Sequence, residues 1–135
     1  MKELTMSADR KNIPAVIDFV NRELDALGCS LKAEAQIDIA IDEIYSNIVK
    51  YGYEEEGGEV TVSFDVSEEP LAMTLSFRDE GKPFNPLERR DPDVTLSAKD
   101  RKIGGLGIFM VKRLMDEVRY EYKGGQNVLR VRKQV

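Results

Sequence analysis

Residues 32–51, KAEAQIDIAIDEIYSNIVKY, contain neither glycine nor proline and keep a helical period from end to end. Ile37, Ala40, Ile41, Ile44, Ile48 and Tyr51 recur at three- and four-residue steps, which marks a stripe turned toward a core. Glu43 and Asn47 are four apart, so their side chains stack on one face. At roughly 100° per residue that face lies about a quarter-turn from the middle of the stripe, at the half-buried edge of the packing surface. A carboxylate and a carboxamide there could set a proton acceptor beside a metal ligand. Taken alone, the pair reads more simply as an ordinary helix-surface hydrogen bond, and the rest of the chain decides between the two.

Around this helix the pattern is regular. Lys2 to Met6 reads as a short strand, with Leu4 and Met6 facing one way. Asn12 is placed to cap a helix and Pro14 sits in its first turn. Ile13, Val16, Ile17, Val20, Leu24 and Leu27 trace that helix, and Gly28 ends it. Ser30 caps the second helix and Gly52 closes it. The period then changes to two. Val60, Val62, Phe64 and Val66 alternate with polar residues; 67–70 turns the chain; Leu71, Met73, Leu75 and Phe77 alternate again, giving an antiparallel hairpin.

Periodicity stops from Arg78 to Lys102, a segment with three of the five prolines and thirteen charged residues. A connection this long in a small domain is functional or mobile. Gly104-Gly105-Leu106-Gly107 then opens a helix with Ile108, Val111, Leu114 and Met115 on one side. Val118, Tyr120 and Tyr122 alternate as a strand, Gly124-Gly125 turns, and Leu129 and Val131 mark a last strand. The order β, α, α, β, β, loop, α, β, β predicts an α+β two-layer sandwich, with helices on one face of a mixed, mostly antiparallel sheet.

A chain of 135 residues is expected to form a single domain, 1–135, around one core. The absence of histidine removes Ser-His-Asp and Cys-His nucleophiles, the usual zinc sites and histidine bases. Cys29 stands alone, so there is no disulfide framework. A net charge of −5 argues against nucleic acid or an anionic membrane as the main partner. No apolar run reaches membrane-spanning length and the N-terminus lacks a signal-peptide core, so a cytoplasmic location is expected.

Three further segments carry chemistry. Asp79-Glu-Gly81-Lys-Pro83-Phe84 follows directly on a strand, which sets the Asp79 carboxylate at the end of the sheet; by itself such a tract is a turn. The glycines at 104, 105 and 107 let backbone approach a ligand, and the free N–H groups of a helix start attract phosphate, although by itself this too is a turn. Neither GxxxxGK[ST] nor a complete GxGxxG is present. Lys99, Arg101 and Lys102 stand just before these glycines and could meet phosphate charge, or form a solvated face.

In order and context these segments resemble the GHKL (Bergerat-fold) ATPase superfamily, which includes histidine kinases, type II topoisomerases and mismatch-repair ATPases. Glu43 to Asn47 matches its N box, Asp79, Gly81 and Phe84 the next box, and Gly105 and Gly107 the glycine-rich box after an ATP lid, here about 83–102. The resemblance runs from about Ser30 to the C-terminus. Within the superfamily the chain looks like the bacterial anti-sigma-factor serine/threonine kinases. The resemblance implies that ATP and Mg²⁺ bind, with Asn47 on the metal, Glu43 as general base and Asp79 accepting from the adenine amino group. Gly81 would allow close approach, and Phe84, Lys102, Gly104, Gly105, Leu106 and Gly107 would complete the nucleotide site. It also implies a sigma factor and an antagonist protein as partners, a serine on the antagonist as substrate, and a homodimer. Two positions depart from those kinases: a Thr-Thr-Lys run in the lid is Thr95-Leu-Ser-Ala-Lys99 here, and an arginine before the glycine box is Ile103. Both bear on phosphoryl transfer more than on nucleotide binding, so a regulatory ATP-binding module without transfer stands as the alternative. An interaction domain that has lost nucleotide binding is a third.

Overall fold

The computed structural model describes residues 1–53, 57–88 and 106–135. The elements follow in the expected order: β1 (Lys2–Ser7), α1 (Ile13–Ala26), α2 (Leu31–Asn47), β2 (Glu59–Ser67), β3 (Ala72–Asp79), α3 (Leu106–Leu114), β4 (Glu117–Lys123) and β5 (Gln126–Gln134). Strand order across the sheet is β1-β2-β3-β5-β4. The sheet was expected to be mixed and mostly antiparallel; all four of its pairings are antiparallel. The glycine pair closes the β4–β5 hairpin with φ of +61° and +78°, the backbone that a tight two-residue turn requires.

One face of this sheet carries the core. Val60, Val62, Phe64, Met73, Leu75, Phe77, Leu129 and Val131 meet the buried stripes of the three helices. From α1 come Ile13, Val16, Val20 and Leu24, and from α3 Ile108 and Val111, with Met115 just past its end, while Ile17, Leu27 and Leu114 sit at the margin. The α2 stripe buries Ile37, Ala40, Ile41 and Ile44 as its spacing predicts. It also buries Tyr45, fully, with its hydroxyl donating to the Ser7 carbonyl at 2.7 Å. Burial pushes that phenol up to about 12.

Local signals behave as their chemistry dictates, with two exceptions. Gly28, at φ +73°, ends α1 in a Schellman arrangement: its N–H reaches Asp25 O at 3.0 Å and the Cys29 N–H reaches Leu24 O at 3.1 Å. Ser30 caps α2 through the Ala33 N–H at 3.1 Å. Asn12 occupies the cap position of α1 but does not cap it with its side chain. A 3₁₀ turn, Arg10–Asn12, precedes the helix, and the Asn12 amide turns back to Ser7 O and Oγ. Gly52 does not close α2 either. The chain continues past Asn47 as a π-helical turn, Ile48–Tyr53, that runs through Gly52. Wide turns of this kind cluster at functional sites.

Candidate functional site

The site forms where the end of α2, the end of β3 and the start of β5 converge. Glu43 and Asn47 lie half-buried on one face of α2, as their spacing requires. Glu43 meets the first turn of α3, and a Cβ added to Gly107 would stand 2.3 Å from Glu43 Oε2. A side chain there would displace the Glu43 carboxylate, which accounts for this glycine without any need for an unusual backbone angle. The Glu43 carboxyl is raised above its ordinary range, first by desolvation and then by the Asp42 charge, with Arg10 pulling it down. A carboxylate raised in this way is a better base at neutral pH.

Beyond Asn47 the π-helical turn brings Gly52 against the residues after β3. The Lys82 N–H donates to Gly52 O at 2.8 Å. A Cβ on Gly81 would sit 2.5 Å from that same oxygen, so Gly81 is glycine because two backbones meet. Tyr53 holds the turn in place: its hydroxyl donates to Glu59 O at 2.7 Å and accepts from the Glu80 N–H at 2.8 Å.

Asp79 is only 4% exposed. Its Oδ1 accepts from the Gly81 N–H and from Asn127 Nδ2, each at 3.0 Å, and among the described residues no hydrogen bond reaches Oδ2. Desolvation raises its carboxyl, and these two bonds pull it back down. A pocket of about 380 Å³ opens here, lined by Asn47, Gly52, Asp79 and Asn127 with Ile44, Phe77 and Leu129 on its apolar side. Phe84 lines it too and stacks on Tyr51, with ring centroids 4.8 Å apart and planes at 18°.

Of the residues expected to form a nucleotide site, Asn47, Asp79 and Phe84 line this pocket, Gly81 packs against Gly52 of its wall, and Glu43 meets Gly107 one helical turn before Asn47. Lys102, Gly104 and Gly105 lie outside the described residues, as do Thr95, Lys99, Arg101, Ile103 and the part of the expected lid beyond Glu88. Leu106 begins α3. The expected Mg²⁺ needs only one or two protein oxygens alongside phosphate. The carboxamide of Asn47 in the pocket wall fits that requirement. Among the described residues no group of three or more acidic or cysteine side chains could hold a metal alone. Asn127, Tyr120 and Tyr53 were not singled out by the sequence. A signal for Asn127 did exist, since it shares the inward face of β5 with Leu129 and Val131, a polar residue at a core-facing position.

Comparison with known proteins follows the same lines. A family model described as a histidine kinase-like ATPase domain matches residues 6–133. A serine-protein kinase RsbW of Listeria monocytogenes is 36% identical over 107 residues, 76% of this chain and 67% of that protein. One from Bacillus cereus is 31% identical over 93 residues, 67% of this chain and 58% of that protein. The crystal structure of the RsbU and RsbW domains of a Mycobacterium tuberculosis protein superposes with a TM-score of 0.68 at 18% identity. That match covers 99% of this chain and 32% of the other, so the chain spans about a third of that larger protein and shares the fold.

Proposed function

We infer the function from a plain starting fact, that the chain belongs to the histidine kinase-like ATPase domain family. We propose that it is an ATP-dependent serine/threonine protein kinase that acts as an anti-sigma regulatory factor, phosphorylating a serine on an antagonist protein. The observation that carries this is the contact of Glu43 with Gly107, which sets a raised carboxylate beside the helix start expected to receive phosphate.

In this reading Asp79 selects adenine and Asn47 holds Mg²⁺, which would neutralise phosphate charge when bound. Glu43 takes the proton of the serine hydroxyl as its oxygen attacks the terminal phosphorus. The new O–P bond replaces the bond to ADP, and transfer depends mainly on this positioning. Partners are then a sigma factor and its antagonist, the working unit a homodimer and the location the cytoplasm. No helix among the described residues is long and apolar enough to cross a membrane.

Replacement of the Thr-Thr-Lys run by Thr95-Leu-Ser-Ala-Lys99, together with Ile103, favours a second reading, a regulatory module that holds ATP without transferring phosphate. Glu43→Gln separates the two. Glutamine keeps the shape, so ATP-Mg²⁺ should still bind, while single-turnover transfer to the native antagonist should fall by roughly 10²–10⁴, the usual contribution of a positioned base. A rate within about tenfold of the parent removes Glu43 from the chemistry, since that is only about 1.4 kcal/mol of barrier. A parent that binds ATP and transfers nothing to its co-purified partners is the binding module.

A further inference from the structure

The side-chain amide of Asn127 has no bonding capacity left for a ligand. Its Nδ2 donates to Asp79 Oδ1 and to the Lys82 carbonyl, both at 3.0 Å, with the Gly81 carbonyl at 3.4 Å beside them. Its Oδ1 accepts from the Phe84 N–H at 3.1 Å and from the Tyr120 hydroxyl. A carboxamide offers two N–H donors and two acceptor sites, so the set is complete. Its orientation is fixed as well, because a backbone N–H can only donate and a carbonyl can only accept.

Asp79 differs in having, among the described residues, one oxygen in use. Both of its bonds fall on Oδ1, one of them from Asn127. We infer that Asn127 is a positioning residue for base recognition: it holds Oδ1 against the loop at 81–84, which turns Oδ2 toward the pocket as the acceptor for an amino group on the base. The inference rests on the nucleotide-site reading above and adds to it the residue that acts through Asp79. Strand topology makes the arrangement possible, since Asp79 and Asn127 are direct partners in the β3–β5 register. The electrostatics agree, because burial raises the Asp79 carboxyl and the Asn127 bond lowers it. Among the described residues, the phenols of Tyr53 and Tyr120 feel the Asp79 charge, and burial raises both, so they stay neutral near pH 7.

The test is ATP-Mg²⁺ affinity by calorimetry on the full chain, from acid to mildly alkaline pH, for the parent and two variants. Asn127→Asp keeps an oxygen for Phe84 and Tyr120 but replaces the donor to Asp79 with a second carboxylate, and two carboxylates so close hold a proton between them. Asn127→Ala removes the bond without adding charge, and covers the case in which the charged variant does not fold. Affinity at neutral pH should fall by about tenfold or more, the size expected for a lost hydrogen bond to a charged group. The pH at which acid abolishes binding should also move upward in both. Parent-like affinity and profile overturn the inference, as does weaker binding with an unmoved pH profile, which would make Asn127 merely structural. A parent that binds no ATP overturns the nucleotide-site reading itself, a failure distinct from the other two.

Discussion

Asp79→Asn tests base recognition with little disturbance of the fold. The amide oxygen can keep both bonds now made to Oδ1, from the Gly81 N–H and Asn127 Nδ2, while the amide nitrogen takes the place of Oδ2. An acceptor that faces the pocket thus becomes a donor. Apo stability should not suffer. The carboxyl is raised in the folded state, so its stabilising contribution is complete below the ordinary aspartate range and lost as pH rises through the raised value. At pH 7 the parent therefore carries a desolvated charge that the variant lacks, and the variant should melt at an equal or higher Tm, with the gap closing as pH falls. Binding should behave oppositely. Loss of a charge-assisted hydrogen bond in a closed site costs about 1.5–3 kcal/mol, or roughly 10- to 150-fold in Kd. The parent should also prefer ATP to GTP, because a carboxylate accepts from the adenine amino group and repels the carbonyl that guanine puts there. Calorimetry with ATP and GTP reads both effects. Equal affinity of the parent for the two nucleotides, or a variant within about threefold of the parent for ATP, well short of the cost of a charged hydrogen bond, refutes the assignment of Asp79.

Three other substitutions probe the remaining parts. Asn47→Ala should leave the fold intact and make nucleotide affinity insensitive to Mg²⁺, since the ion takes few ligands from protein and the loss of one is felt; a titration showing the parent's Mg²⁺ dependence would exclude Asn47 as a ligand. Gly107→Ala places a methyl 2.3 Å from Glu43 Oε2, the free end of a side chain that can swing away. Stability should hardly change while phosphate transfer falls toward the Glu43→Gln level, and undiminished transfer would contradict the role of that contact. Gly81→Ala instead meets backbone, at 2.5 Å from Gly52 O. It should cost about 1–3 kcal/mol of stability, typical of overpacking, read as a lowered denaturant midpoint; an unshifted midpoint would show that the loop can yield there.

What the sequence disclosed, and what it withheld, divides along the range of the interactions. Glu43 and Asn47 were legible because four-residue spacing on a helix is local, and the stripe beside them fixed how deeply they sit. Gly28 and Ser30 were legible for the same reason, each deciding the backbone of its own turn. Gly52 was misjudged as a helix stop because its role is set from outside α2, where its carbonyl accepts from Lys82 and leaves no room for a side chain at Gly81. Asn12 was misjudged likewise, since the end of β1 offers its amide better partners than the helix start does.

The half of the site around Asp79 is the clearest case. Asp79 could be placed at a strand end from alternation alone, but its partner Asn127 stands 48 residues later in the chain. Nothing local says that β5 rather than β4 lies beside β3. Hairpin reasoning pairs neighbours in sequence, and the sheet obeys it at β2–β3 and β4–β5. The β3–β5 pairing follows from neither hairpin, yet it alone puts an amide opposite the carboxylate. A polar residue in phase with Leu129 and Val131 was the available sign, because burying an amide without partners is costly and such a residue must have a network waiting for it. Motif spacing therefore finds the groups that would touch a ligand, while a break in the core-facing alternation marks the groups that aim them.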